Sequence, residues 1–415
     1  MAGLDLTAFD AMMKERYPSW EVLRMVFKRN PVLALLPRDE NFVGSDMVVP
    51  TIFGNPQGRS AVFATAQAGA ATSTTKSAAF RMTRKKNYGV CLIENELIEA
   101  SRTNEGAFLS ALETEMDGML NNMSNDYGMK IFGTGSGKRG IVKAATSPTT
   151  SVELQTADDV VNFEVGMYLN ASSTDGGGSL RADAPYITAI NRETGVLTVS
   201  ATVAGSWVAG DYIFAKGDYD ESLAGLQAWL PYDDRAAKLA ASFYGVTRNV
   251  DSFRLGGLIK DTSGSNYEEG LIDALALMNR EGAAPDLCVL HPTDYSILEK
   301  ILGSKVQYTQ LTTQVKDENG MVKASIGFNA LMLHGGENDN AIPVIRDRSC
   351  PRKRGFLLQT DTWKLSSLGK LVRIFDTDGT TMLRQSTADG VEVRGISYAN
   401  LACRAPGWNM QVNLA

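Results

Sequence analysis

Among 415 residues, the segment closest to catalytic chemistry is Gly133-Thr-Gly-Ser-Gly-Lys138. Glycine-rich backbone amides can cradle a phosphate that a following lysine reaches. The spacing does not fit. In the G-x-x-x-x-G-K-[ST] pattern the first glycine would fall at Phe132, and Arg139 stands where a hydroxyl should meet magnesium. The segment also follows a helical stretch instead of opening one. His291 and His334 are the two histidines, and neither has a second at the three- or four-residue spacing of a metal site on one helix. No serine sits in a G-x-S-x-G elbow. The carboxylate pairs Glu268/Glu269 and Asp233/Asp234 fall in loops or at helix starts, where solvation and the helix dipole account for them. The sequence therefore predicts no catalytic residue, no cofactor and no metal.

Charge is more informative. Forty-one Lys+Arg against 47 Asp+Glu give a net charge of −6, without the basic balance of a dedicated nucleic-acid binder. Two basic clusters stand against that background. One is Arg81, Arg84, Lys85 and Lys86; the other is Arg346, Arg348, Arg352, Lys353 and Arg354, around Pro351. A polynucleotide site would interleave aromatics for stacking, and only Tyr88 and Phe356 are near. The other readings are a solvated face or a charge-protected edge strand, and contact with acidic neighbouring subunits. With Arg59 and Lys76, these residues are the candidates for inter-subunit contact.

The elements that carry them form a soluble α+β chain, with 44% hydrophobic and 21% charged residues, long enough for two or three domains. Cys91, Cys288, Cys350 and Cys403 lie far apart and read as buried reduced thiols of a cytosolic product. Met1 to Lys14 lacks the basic and apolar regions of a signal peptide, and no run approaches the ~20 apolar residues of a membrane span. The opening residues, with Leu6, Phe9, Met13, Trp20, Leu23, Met25 and Phe27 broken by Pro18 and Pro31, predict short helices in an arm. Met47 to Val90 predicts two strands around a small-residue tip at Ala64–Ser77, the second running through Phe80 to Tyr88. Such a hairpin has little core and needs something else to lie on. Phe108, Leu112, Met116, Met119, Met123 and Tyr127 recur at steps of three or four, predicting a helix from near Thr103 towards Phe132, about 40 Å long.

Between Ala144 and Gly217 short β-type runs at Val165–Asn170, Tyr186–Asn191, Val196–Ala201 and Tyr212–Ala215 predict a small inserted barrel or sandwich. Phe163-Glu-Val-Gly-Met-Tyr-Leu169 and Trp207-Val-Ala-Gly-Asp-Tyr-Ile213 resemble each other, and Arg192-Glu-Thr-Gly195 reads as a hairpin turn. Helices are expected at Tyr267–Arg280 and Thr293–Leu302 around a strand at Asp286–Leu290. Strands follow at Ile342–Arg346, Gly355–Gln359, Lys370–Phe375, Thr381–Gln385 and Val391–Arg404.

Arm, long hairpin, spine helix, α+β unit and closing strands, in this order, resemble the major capsid protein of tailed bacteriophages, the HK97-like fold. Three segments carry the likeness. Gly133-Thr-Gly-Ser-Gly-Lys-Arg-Gly-Ile141 is similar to the family's glycine-rich turn after the spine helix. Ala283-Ala-Pro-Asp-Leu-Cys-Val-Leu-His-Pro-Thr-Asp294 is similar to its strand-then-helix step. Ile342-Pro-Val-Ile-Arg-Asp347 with Gly355-Phe-Leu-Leu-Gln-Thr-Asp-Thr362 is similar to its later strands. The resemblance implies an N-terminal arm (1–46), an extended loop (47–90), a peripheral domain with the spine helix (91–143), an inserted β-rich domain (144–217), an axial domain with connecting segment (218–345) and strands returning to the peripheral domain (346–415). It implies a non-enzymatic shell protein, built in the host cytoplasm into the virion and assembling with itself as hexamers and pentamers. A separate scaffolding protein, a portal and decoration proteins are its expected partners. Double-stranded DNA would be held only non-specifically, and no membrane would be involved. An encapsulin-like nanocompartment is the alternative on the same fold. A hydrolase or nucleotide-binding enzyme on the α+β unit is the alternative from another class.

Overall fold

The computed structural model describes residues 30–95, 105–143, 148–305, 331–334, 341–376, 382–385 and 389–414, with side chains at 105–114 and 303–305 left aside. Most of the expected arm lies outside these residues. Its described end holds helix α1 (Pro31–Leu35), opened by a proline at its first position, and strand β1 (Arg38–Asp39).

Strand β2 (Asp46–Gly54) is followed by helix α2 (Phe63–Thr72) and strand β3 (Lys76–Thr83), which pairs antiparallel with β2 from Asp46↔Thr83 to Gly54↔Lys76. Alternation puts Val49, Phe80 and Met82 in the core, while Val48 and Ile52 face out. The tip differs from the small-residue turn expected at Ala64–Ser77. It is a helix with no buried residue, because a stretch rich in alanine and free of proline favours one. Gly69 brings that helix onto the Gln57 carbonyl, which would lie 2.5 Å from any added Cβ.

The expected second strand of the hairpin also divides. β3 ends at Thr83, and strand β4 (Lys85–Glu94) turns into the body. Helix α3 (Glu105–Lys130), the spine, crosses β4. Met123 and Tyr127 of its predicted stripe are buried, and Met116 and Met119 pack against Cys91, Ile93 and Val393. Phe108 and Leu112 lie outside the described side chains. Gly89 gives α3 its seat, since a Cβ there would meet the Met119 side chain and the Met123 sulfur within 2.8 Å.

Strands β5 (Lys138–Ile141), β6 (Ser151–Glu153), β7 (Leu169–Ser172), β8 (Ile187–Asn191), β9 (Val196–Val199) and β10 (Tyr212–Ala215) form two three-stranded sheets, β5-β10-β7 and β6-β9-β8. Their own core includes Val142, Phe163, Leu169, Leu197, Trp207 and Ile213. The two similar segments have the same local build: Phe163 and Trp207 are buried, Gly166 and Gly210 take φ of +87° and +86°, and β7 and β10 pair antiparallel. β8 and β9 form the hairpin expected at Arg192–Gly195, where Gly195 has φ +70°. Because β5 belongs to one of these sheets, the folded unit reaches back to Lys138.

Helices α4 (Leu226–Trp229) and α5 (Arg235–Ala240) lead to the axial unit. It comprises strand β11 (Leu258–Asp261), helix α6 (Tyr267–Arg280), strand β12 (Leu287–Leu290), helix α7 (Pro292–Lys305), and strands β13 (Leu331–Leu333), β14 (Ile342–Arg346) and β15 (Arg354–Leu358). Strands β16 (Trp363–Ser367), β17 (Arg373–Ile374), β18 (Met382–Arg384), β19 (Gly390–Cys403) and β20 (Met410–Asn413) complete the chain. The axial sheet runs β11-β20-β15-β12-β14-β13. The body sheet is built on β19, which pairs with β4, β16, β17 and β18. Trp229 sits where the units meet, its ring edge-to-face with Phe80 at 5.0 Å and its indole N–H donating to the Leu401 carbonyl at 2.9 Å.

Residues 136–220 expressed alone are expected to give a dispersed NMR spectrum. A 144–217 fragment, lacking β5, should lose about 2 kcal/mol or more, on the order of 10 °C in Tm. Equal melting of the two fragments would remove β5 from the unit.

Candidate assembly interface

The eleven basic candidates separate into residues presented outward and residues engaged inside the chain. Arg59 and Lys76 flank the tip helix and are exposed. Arg81 is exposed on β3, 3.7 Å from Asp46, a solvated pair worth at most about 1 kcal/mol. Arg84 is held by the Phe42 carbonyl, which accepts from Nη1 at 2.6 Å, and by the Phe42 ring below its guanidinium. Lys85 donates to the Asp220 carbonyl at 2.7 Å and pairs with Glu221 at 3.2 Å. Lys86 points the other way on β4 and shares an open pocket with Arg84.

In the second cluster Arg348, Arg352 and Arg354 are partly buried, while Arg346 and Lys353 are exposed. Arg346 stacks over Tyr295, and Arg354 stacks over Tyr232 while pairing with Asp233 at 2.8 Å. Burial lowers the Arg348 guanidinium from its ordinary range. Arg352 joins two units, bonding Asp158 of the inserted domain and, at 3.1 Å, Asp294 at the start of α7. Asp294 has no exposed surface and is satisfied by three donors: Arg352, the Tyr267 hydroxyl at 3.2 Å and the Lys353 backbone N–H at 2.7 Å. Lys353 stands at φ +58° to make that contact.

A junction of four charges, none of them among the eleven candidates, fixes strands β5–β10 to α3. Asp126 and Lys130 lie one turn apart near the end of α3, Arg139 lies on β5, and Asp218 follows β10. Lys130 contacts Asp126 at 2.6 Å and Asp218 at 3.1 Å; Arg139 contacts Asp218 at 3.2 Å and is bonded to Asp126 as well. Asn87 of β4 donates to Asp126 at 2.8 Å, and Arg139 donates to the Asn162 carbonyl at 3.2 Å. Burial alone would raise the Asp126 carboxyl, but Arg139 and Lys130 outweigh it and hold it low. Burial likewise opposes the Arg139 charge, and Asp126 and Asp218 outweigh that. A signal was present: Asp126 and Lys130 continue the apolar stripe of Met123 and Tyr127, and charge on a buried stripe requires partners.

Gly133–Lys138 forms a second tether. Thr134 and Ser136 donate to Asp175, and the Lys138 ammonium lies 3.2 Å from the same carboxylate and over the Tyr212 ring. The motif that suggested phosphate binding thus holds an internal aspartate. The His291 imidazole is pushed down by burial, and its Nδ1 accepts from the Thr293 N–H at 3.2 Å. His334 directly follows β13. Among the described residues, no three His, Cys, Asp or Glu side chains gather as a metal site.

No family model matches the sequence, and no curated protein matches it. Among solved structures, a chain of the cyanophage A-1(L) capsid asymmetric unit superposes with a TM-score of 0.54 at 11% identity, covering 99% of both chains. The chain has an HK97-like capsid fold. More distant likenesses are the capsid of Myoviridae phage XM1 (TM-score 0.45, 8% identity, 100% of both chains) and the holo-SrpI encapsulin complex from Synechococcus elongatus PCC 7942 (0.43, 8%, 99% of this chain and 96% of that one). In this fold the hairpin β2–β3 ends in the exposed helix α2, and the strands β5–β10 are tied to the end of α3 through Arg139 and to α7 through Arg352.

Replacing Arg139 with Met leaves Lys130 as the single counter-charge for both Asp126 and Asp218, and should cost about 3 kcal/mol in urea unfolding; an unchanged midpoint would show that the Arg139 contacts are dispensable. Asp159, beside the Arg352–Asp158 pair, is pushed up to about 7 by burial and by Asp158, against Lys138 and Arg352. The folded chain therefore holds this proton where the unfolded chain has released it, and stability falls as pH rises from about 4 to 7. Asp159→Asn should raise Tm above pH 7 relative to the parent, with the difference vanishing below about pH 4. An equal difference at both extremes would place the effect elsewhere.

Proposed function

We propose that this chain is the structural subunit of an icosahedral shell enclosing double-stranded DNA, as the major capsid protein of a tailed bacteriophage. The supporting observation is the hairpin: a nine-residue strand, a ten-residue helix and an eight-residue return strand whose outer end buries nothing. Val62 and Phe63, at 59% and 81% exposure, stand at the tip, and Ile52 below them is 69% exposed. Exposed apolar surface of this kind marks an interaction site. A neighbouring copy meets the need, and weak contacts repeated around a closed lattice act together through effective concentration. The role is structural rather than catalytic, with hexamers and pentamers as the building units and a separate scaffold and portal as partners. Arg59, Lys76, Arg81 and Lys86 face outward for neighbouring copies. The Arg352 and Arg354 group acts within the subunit. A net charge of −6 suits an inner wall that must not trap DNA.

Electron microscopy of the protein, expressed alone and with a neighbouring scaffold gene, should show uniform closed particles tens of nanometres across. Deleting residues 62–73 should lower the helical circular dichroism only by the loss of α2, leave the Tm of the subunit unchanged and reduce particle yield at least tenfold. Normal particles from that variant would remove the hairpin from assembly, and small oligomers from the parent in both preparations would overturn the shell reading.

A further inference from the structure

At the root of the hairpin, where β3 hands over to β4, Ser45, Thr83, Arg84, Lys86, Tyr88, Leu368 and Tyr398 enclose an open pocket of about 290 Å³. The register β4–β19 sets Lys86 directly opposite Tyr398 and Tyr88 opposite Ile396. Lys86, Tyr88 and Tyr398 therefore share one face, the side of the sheet away from the spine helix. The two tyrosine rings meet edge to face at 6.0 Å, with their hydroxyls 3.5 Å apart. Arg373 lies on β17, alongside Ile396 of β19. The Tyr398 phenol is raised by its bond to the Tyr88 hydroxyl, against the charges of Lys86 and Arg373, so both cations act at that hydroxyl pair. Arg84 is already ordered by Phe42. Asp46, next to Ser45, accepts from its hydroxyl and faces Arg81. Neither Lys86 nor Arg373 has a carboxylate partner among the described residues.

Two or three cations, the phenolic O–H left over from the Tyr88–Tyr398 pair and a wall of leucine and tyrosine suit one anion carried on an apolar stem. They do not suit a polynucleotide. Of the cations on either side, Lys85 is engaged by Glu221 and Arg394 by Glu392, which leaves Arg81 with its solvated partner Asp46, too short a run of charge to follow a phosphate backbone. The chain itself has six more acidic than basic residues, and the pocket lies where the hairpin leaves the body, beside the surface that needs a neighbour. We propose that this pocket receives an Asp or Glu carboxylate from a second copy of the chain, fixing the root of the hairpin between subunits. The inference rests on the shell reading and names the partner of its otherwise unassigned basic cluster.

The test uses particles assembled from a mixture of ¹⁴N- and ¹⁵N-labelled full-length chains. A water-soluble carbodiimide condenses a lysine amine with a carboxylate in contact with it; the amide forms as the carbodiimide takes up the water to become a urea. Peptide mass spectrometry should find Lys86 in mixed-isotope cross-links to an Asp or Glu. Lys86→Glu should lower particle yield at least tenfold with subunit circular dichroism unchanged, and Lys86→Arg should restore it. Particles in which other lysines cross-link while Lys86 gives none, or only same-isotope links, would overturn the assignment and leave the shell reading standing. Lys86 protected from acetylation only in DNA-filled particles would overturn it in favour of nucleic acid. If the parent chain forms no particles, the shell reading falls and takes the pocket assignment with it.

Discussion

Two buried cations and two carboxylates between the end of the spine helix and the inserted sheets hold the molecule's parts in register. Asp126 and Lys130 belong to the helix, Arg139 to the strand that enters the inserted domain, and Asp218 to the segment that leaves it. Charges buried to this degree are tolerated only as a complete set, because removing one strands the rest in a medium that solvates them poorly. Their cost is offset only in one geometry, so they act on specificity: the spine cannot turn on its axis, nor the inserted sheets tilt, without breaking a contact on another element. Asn87 extends the same constraint to β4 and thereby to the body sheet.

Around that fixed point the contacts grade from rigid to permissive. Arg352 ties the inserted domain to the axial helix through two aspartates, one of them fully buried. The spine rests on the sheet differently, through methionines seated over Gly89 and Gly395, a surface of flexible thioethers that accommodates small displacements. The hairpin tip makes no core contact. The chain is thus stiff at its centre, while its outer hairpin carries exposed apolar residues such as Ile52 and Phe63.

Much of this was legible in the sequence because it is local. The periodicity of Tyr267–Arg280 and the β-type runs at Tyr212–Ala215 and Ile342–Arg346 gave elements with those same bounds, and the order of parts gave the capsid fold. What escaped depends on partners distant in sequence. Nothing in Phe80–Tyr88 says that the chain changes sheets at Arg84, since β4 is selected by a strand three hundred residues away. The small-residue tip expected at Ala64–Ser77 is a local exception, where an alanine-rich, proline-free stretch forms the helix Phe63–Thr72. The Arg346–Arg354 cluster is a candidate for contact with acidic neighbouring subunits on sequence alone, and the acids that Arg352 and Arg354 meet, Asp158, Asp233 and Asp294, come from three other segments of the same chain.

The entry and exit of the inserted domain have a thermodynamic consequence. Arg139 and Asp218 touch at 3.2 Å although 79 positions separate them. To the rest of the subunit, everything between is a loop whose ends already coincide. Closure entropy rises only slowly with loop length, so the length and content of the insert are nearly neutral for folding of the body once that one contact is made. At this point of the fold a short turn and a whole domain are close to interchangeable guests.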